Sequence, residues 1–360
     1  MNRIHIVGAG PSGLVAAIIL ARAGREVLVL EKEKIAGGDP ETHPRVDMTP
    51  FDFEGLQKLT GIAFSPAVKP LQQLRGYVWG RPYLLDPAPV SILERGLRPT
   101  SIDSYLFGLA QDAGVKFEFS RFLQSAEDFA RLPAGSIIAT GPHLEGFRAL
   151  GVPHQITYSY AGLAQTPPDL NQVACYFGDF TRDYAYVAAI NGVAFTLLFS
   201  RRPLGEEHRA AYAELLERTE GIKIGKWRNR IGPLPTASRF NPRLWHRGRI
   251  LAGTLGGVMD PFLLFGMHGA ILSGWISAMA VLNPPAAERA FARHRRLFAR
   301  TLLVKRLADT LPFRKQIFQF LIPNLNRLQR GLPLAIGGIP GYRWDRPWQE
   351  KAWMRLLKPG

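Results

Sequence analysis

Residues 3–32 read "RIHIVGAGPSGLVAAIILARAGREVLVLEK", and the placing of Gly8, Gly10 and Gly13 between two apolar runs decides the fold. The runs at 3–7 and 26–30 predict short apolar strands, and residues 11–23 between them predict a helix, which together make a βαβ opening. In such a turn Gly8 permits the tight bend, Gly10 lets backbone N–H groups approach a pyrophosphate, and Gly13 lets the helix pack close to the sheet. Glu31 ends the second strand 18 residues after Gly13, where a carboxylate accepts hydrogen bonds from an adenosine ribose. A GxGxxG motif alone is a weak signal. With strand, helix and acid all in place, the expectation is dinucleotide binding.

Outward from this stretch, the 360 residues are 46% hydrophobic, enough for a large core or two joined domains. The single cysteine, Cys175, excludes an internal disulfide, a CxxC redox pair and an all-cysteine metal site. No metal site is expected. The chain opens directly on a strand, with no secretory signal, and a cytoplasmic location is expected. The net charge is +16, and residues 286–360 supply +12 of it, with 16 Lys and Arg against 4 Asp and Glu.

The expected class is α/β, with a Rossmann-like nucleotide-binding domain (1–65, 99–150 and 240–285) interrupted by a sheet-rich substrate domain (66–98 and 151–239). A basic helical tail, 286–360, follows. Residues 101–113 predict a helix, "SIIATG" at 136–141 a buried strand, and 172–200 strands around the turn "INGV". "EEHRAAYAELLERT" at 206–219 predicts an amphipathic helix. Residues 261–282 have the length of a bilayer span, but Gly266, Gly269, Gly274 and His268 suit a helix packed closely inside protein.

From "GAGPSGLVAA" through "LEK" to Gly37 and Gly38, the residues resemble the flavoprotein superfamily that contains geranylgeranyl reductases and aromatic hydroxylases. The resemblance continues in order. "RGLRPTSIDSYL" at 95–106 is similar to an Arg-then-Asp helix start, and "SIIATG" to the family's returning strand. "DYAYVAAINGVAFTLLF" at 183–199 is similar to a Tyr-x-Trp-x-x-Pro segment, with Tyr186 for the tryptophan and Ala189 for the proline. "IGPLP" at 231–235 precedes residues 248–274, which resemble a Gly-Asp-Ala-Ala-Gly…Pro…Gly…Ser-Gly flavin-binding block. There Gly253, Gly257, Pro261, Gly266, Ser273 and Gly274 match, while Thr254 replaces the family's Asp and Leu264 a glycine.

The resemblance implies FAD, held by Gly8, Gly10, Ser12, Gly13, Glu31, Lys32, Arg98, Thr140, Gly141, Gly253, Thr254 and Gly266. It implies that Asp260, beside Pro261, is the carboxylate near the reacting flavin. His43, on the loop after the second strand, is a second catalytic candidate, although a lone histidine more often serves structure. Tyr184 and Tyr186 are substrate candidates. The expected reaction is reduction of carbon–carbon double bonds in an isoprenoid or other lipid-like substrate. No second GxGxxG marks a separate NAD(P)H domain, and NAD(P)H bound transiently, a ferredoxin and a quinone all stay open as electron donor. Two alternatives stay open: a flavin monooxygenase of an apolar or aromatic substrate, and a non-catalytic basic adaptor with a flavin fold.

In the tail, Arg289, Arg293, Arg296 and Arg300 recur at helical spacing, with Phe291, Phe298, Leu302 and Leu303 on other sides. Past Pro312, "IFQFLIP" is bracketed by Arg314, Lys315, Arg327 and Arg330. Peripheral contact of residues 286–330 with an anionic membrane and packing of this helix on the core are both consistent with the pattern. Nucleic acid is disfavoured, since no nucleic-acid module accompanies the charge.

Overall fold

The structure, a computed structural model, describes residues 3–39, 43–87, 90–228, 234–237, 242–310, 312–324, 334–336 and 339–342. β1 (Ile4–Val7) pairs in parallel with β2 (Val27–Leu30) on one side and with β9 (Ile137–Ile138) on the other. β8 (Lys116–Glu118) extends the sheet beyond β2, and β17 (Arg249–Leu251) and β16 (Trp245–His246) extend it beyond β9. Alternate residues of these strands face opposite layers. Ile6 and Val29 point into the core shared with α1 (Pro11–Arg22), α3 (Ile102–Asp112) and α7 (Met267–Leu282). Val7, Leu28 and Leu30 pack instead with Phe129 of α4 (Ala126–Ala130) and Phe147 of α5 (Leu144–Leu150).

A second sheet runs β14 (Lys226–Arg228), β10 (His154–Gln165), β13 (Val193–Ser200), β12 (Ala185–Ile190), β11 (Gln172–Phe177), β5 (Gln73–Val78) and β6 (Arg81–Leu85), with β15 (Leu234–Ala237) beside β10. The β12–β13 hairpin closes on Asn191 and Gly192, both with positive φ (53° and 82°), which suits their place in "INGV". α6 (Glu206–Glu220) covers the face away from the first sheet, burying Tyr212 and Leu216 against Tyr176 and Leu198. The 66–98 segment divides between two sheets. Its β5 and β6 join the second sheet, whereas β4 (Val68–Pro70) and β7 (Val90–Arg95) form a three-stranded sheet with β3 (Arg45–Pro50), a strand that local pattern did not signal. α2 (Phe53–Thr60) follows β3, capped by Asp52 and ended at Gly61 in the left-handed region.

The apolar run 261–282 is helical only from Met267, and at 16 residues its helix reaches about 24 Å, short of a ~30 Å hydrocarbon core. Among the described residues no helix is long and apolar enough to cross a membrane. Two of its glycines are explained by contact: a Cβ at Gly274 would come within 2.6 Å of the Ser12 carbonyl oxygen, and one at Gly269 within 2.1 Å of that of Val258. α7 therefore lies directly on α1. The tail continues as α8 (Pro284–Thr310) and α9 (Arg314–Leu321), the expected basic helices, and then a strand pair, β18 (Leu334–Ile336) with β19 (Ile339–Tyr342). Phe291, Phe298 and Leu302 are buried, so of the four apolar residues expected on the tail's greasy sides only Leu303 is exposed. Arg327, Arg330, most of "IGPLP" and the expected boundary at 239–240 lie outside the described residues.

Candidate functional site

One cavity of ≈ 250 Å³ gathers the turn after β1, the strand ends of the first sheet, the second sheet and the start of α7. Gly8 sits at φ +103°, and a Cβ there would meet the Ala139 carbonyl oxygen at 2.4 Å; one at Gly13 would meet that of Gly8 at 2.0 Å. Gly10 differs. A Cβ built on it has no neighbour within 4 Å, its φ of −80° suits any residue, and it lines the cavity as the uncapped N-cap of α1. Its bareness keeps space open. The first-turn amides of α1 are available to an anion there. Glu31 braces this turn: its carboxylate accepts from the Ala9 N–H at 2.6 Å and the Glu33 N–H at 3.0 Å. Burial raises its pKa, against which those amide bonds and Lys32 act.

Ser12, Lys32, Thr140 and Gly141 line the same cavity. Lys32 lies 3.1 Å from Glu33 and 5.8 Å from the centre of the half-exposed Phe122 ring. Thr254, Leu264 and Gly266 form another part of the wall, with Gly266 as the N-cap of α7, so two helix starts border one cavity. Gly253 stands behind the wall, its N–H donating to Ser273 Oγ at 2.8 Å, where a Cβ would press on Ser12 Oγ at 2.6 Å.

Arg98 was the expected cofactor arginine, and the structure sets it elsewhere. It pairs with Glu94 at 3.2 Å, donates to the Asn191 carbonyl, and lies off the cavity. Arg95 lines the cavity instead and grips Asp103 through two bonds of 2.6 and 2.8 Å, while Asp103 also accepts from the Gly96 N–H. Arg95 ends β7 and so faces inward, whereas Arg98 follows the turn. Asp103 is held well ionised by Arg95 despite complete burial. Beside them, Arg45 donates to Asp47 at 2.9 Å, and both line the cavity.

His43 also lines the cavity. Its Nδ1 lies 2.8 Å from the Gly37 carbonyl, which can only accept, so Nδ1 carries the proton and Nε2 is left as an acceptor. Burial, together with the Arg95 charge, lowers its pKa to about 4. His43 is neutral at physiological pH.

Asp260 is not in the cavity wall. Its carboxylate is 1% exposed and accepts from the N–H groups of Phe262 (3.2 Å) and Leu263 (2.7 Å), tying the Pro261–Phe265 loop into a compact turn. Burial raises its pKa to about 7. The turn it shapes carries Leu264 at φ +60°, a left-handed conformation where the resembled family has glycine, and presents Leu264 to the cavity. Asp260 therefore acts on the cavity through Leu264.

Tyr184 and Tyr186 line the cavity from β12 and the residue before it. Their hydroxyls donate to the carbonyls of Leu263 and Val46, so what they offer is ring surface. With Phe199, 5.2 Å from Tyr184 and 6.2 Å from Tyr186 between ring centres, they make an aromatic shelf that Leu197 and Met48 extend.

Residues 6–71 match the family described as NAD(P)-binding Rossmann-like domain. Among curated proteins, an L-amino-acid oxidase of Bothrops jararacussu is 56% identical over 42 residues, 12% of this chain and 8% of its own length. An uncharacterized protein of Methanothermococcus thermolithotrophicus is 51% identical over 35 residues, 10% of this chain and 34% of its own. The chain thus spans well under half the length of these curated relatives. Solved structures match over nearly all of it. A geranylgeranyl bacteriochlorophyll reductase-like protein of Thermoplasma acidophilum has a TM-score of 0.66 at 17% identity, covering 89% of this chain and 90% of its own. PqsL, a probable FAD-dependent monooxygenase of Pseudomonas aeruginosa, has 0.61 at 16%, covering 89% and 100%. CtdE, solved in complex with FAD, has 0.59 at 13%, covering 92% and 99%. The chain has the fold of the FAD-dependent oxidoreductases.

Within this flavoprotein fold, the sequence missed Arg95, Asp103 as a wall residue, Phe199 and the Arg45–Asp47 pair. For Arg95 a signal existed: it opens the same "RGLRPTSIDSYL" stretch that carries Arg98 and Asp103. Phe199 and Met48 carried none, since only the pairing of distant strands brings them together. Among the described residues no group of three or more His, Cys, Asp or Glu is placed to hold a metal ion.

Proposed function

We propose that the protein is a FAD-dependent oxidoreductase that reduces a carbon–carbon double bond in an isoprenoid or other lipid-like substrate. The observation that carries the reading is the continuity of one cavity from the bare Gly10 cradle to the Tyr184–Tyr186–Phe199 shelf. The residues fit the cofactor. Gly10 and the first amides of α1 would hold its pyrophosphate, Glu31 its ribose, and Thr254, Gly266 and the start of α7 its flavin end.

When bound and reduced by NAD(P)H or a ferredoxin, FAD supplies hydride, and a proton completes addition across the double bond. The chain's own contribution is placement and dryness. Tyr184, Tyr186, Phe199 and Leu197 offer apolar surface to a hydrocarbon, and Leu264 narrows the chamber beside them. His43 can orient a donor at Nε2, but with a pKa near 4 it holds no second proton at neutral pH and so is not the acid of the addition.

The test is a spectrum of the purified protein, anaerobic photoreduction, and mixing with a polyprenyl lipid. The expected result is bound FAD, and reoxidation without dioxygen that yields a product gaining two hydrogens. Reoxidation that requires dioxygen, with an oxygen atom gained by the product, would establish a monooxygenase instead. Flavin that no donor reduces would leave a non-catalytic adaptor.

A further inference from the structure

Between residues 289 and 324 there are nine Lys or Arg and one acidic residue. The structure sorts eight of these cations into two groups, with Arg293 half-buried between them. Lys305 and Arg314 turn inward: Lys305 Nζ lies 3.2 Å from Asp183 and over the Phe262 ring, and Arg314 donates to the carbonyls of Thr181 and Asp183 while resting on Trp79 and Phe318. Arg289, Arg295, Arg296, Arg300, Arg306 and Lys315 are exposed. Among them stand large apolar side chains that are exposed: Leu303 (59%), Leu307 (57%), Phe313 (72%) and Phe320 (62%).

On α8 the spacing 296, 300, 303, 307 is that of one helix face, so Arg296, Arg300, Leu303 and Leu307 form a single stripe. Phe320 is exposed on α9, and Phe313, the residue that caps its N-terminus, is exposed beside it. Greasy residues flanked by cations on an exposed helix are costly in water and match a bilayer interface, where apolar groups enter the acyl boundary and cations meet anionic headgroups. A second copy of the chain would bring cation against cation. A polyphosphate strand would answer the cations but give no partner to four exposed apolar residues.

We infer that the outer face of α8 and α9 docks the protein on an anionic lipid bilayer. The surface is fixed to the cavity wall, because the inward cations clamp both helices to Thr181 and Asp183, directly before Tyr184, whose hydroxyl is bound to Leu263 next to Leu264. Docking therefore sets the shelf at a defined height over the lipid. The inference is independent of the reaction proposed above, since it concerns only where the protein sits.

The test uses the full-length protein with phosphatidylcholine vesicles, with and without phosphatidylglycerol, in a sedimentation assay at low salt. Melting curves verify that each variant is folded, whether or not flavin is bound. The parent is expected to sediment only with phosphatidylglycerol vesicles. Arg296→Gln with Arg300→Gln is expected to weaken partitioning about 25-fold, at roughly fivefold per cation. Leu303→Ser with Leu307→Ser, which leaves every cation in place, is expected to weaken it tenfold or more. Folded parent protein that ignores phosphatidylglycerol vesicles overturns the inference. Binding that the two serines leave unchanged also overturns it, and assigns the face to a polyanion such as nucleic acid.

Discussion

Gly10→Ala and Gly8→Ala place the same methyl group two residues apart, with very different costs to the fold. At Gly10 the backbone already suits alanine and the methyl meets nothing within 4 Å, so the only cost to the fold is that of alanine at an N-cap, about 0.5–1 kcal/mol. At Gly8 the methyl meets a carbonyl oxygen at 2.4 Å, more than 1 Å inside ordinary contact, in a backbone region at φ +103°. Left-handed strain of about 1–2 kcal/mol and overpacking of about 1–3 kcal/mol put that cost near 3–4 kcal/mol. With an unfolding entropy of about 2.1 cal/mol/K per residue, each kcal/mol shifts the Tm of a 360-residue chain by about 1.3 °C. Melting of flavin-free protein should therefore fall by about 1 °C for Gly10→Ala and by about 4–5 °C for Gly8→Ala. Equilibrium dialysis against FAD should show weakened binding in both. Gly10→Ala that melts like the parent and binds FAD as tightly would refute the placing of the pyrophosphate, since the methyl would then occupy space the cofactor does not use.

Two further outcomes concern buried charge. Lys305→Met removes the cation paired with Asp183, which still accepts from the Arg201 N–H; with both side chains 8% exposed it should destabilise by about 3 kcal/mol in urea titration, adding Asp183→Asn should recover at least half, and no recovery would mean the ion pair is not the source. Asp260 has its pKa raised to about 7 against an unfolded value of 3.8, so the folded state holds the extra proton in between. Its stabilising effect is fully present below about pH 4 and lost as pH climbs through 7, a change on the order of 4 kcal/mol. Asp260→Asn should remove that slope from a plot of Tm against pH, and an unchanged slope would locate the titration elsewhere.

What the sequence made legible was local. Gly8, Gly10, Gly13 and Glu31 lie within 24 residues, and their roles follow from one strand–turn–helix geometry, so they could be read before any pairing was known. The "INGV" hairpin and the helix starting at Ser101 were legible for the same reason. Asp260 was misplaced because adjacency to Pro261 says nothing about which way a side chain turns, and here two backbone amides claim the carboxylate. In the tail, periodicity identified a two-faced helix but could not say which apolar residues the core would take. Phe291, Phe298 and Leu302 went inward, and the outer stripe fell to Leu303 and Leu307. The β3–β7–β4 sheet joins residues more than twenty positions apart, a contact that no window of sequence contains.

The order of strands in the first sheet has a consequence for how the protein is made. β1, made before the other strands of this sheet, has β9 as one neighbour, and β9 is in turn flanked by β17, so the sheet cannot be completed until residue 251 exists. α7, whose first turn closes the cavity beside the Gly10 cradle, is made later still, at 267–282. A nascent chain carrying the whole glycine-rich turn on the ribosome thus has the recognisable motif without the chamber. Until residue 274 has emerged, α1 exposes Val15 and the small-residue surface meant for Gly274, an apolar flank open to a chaperone.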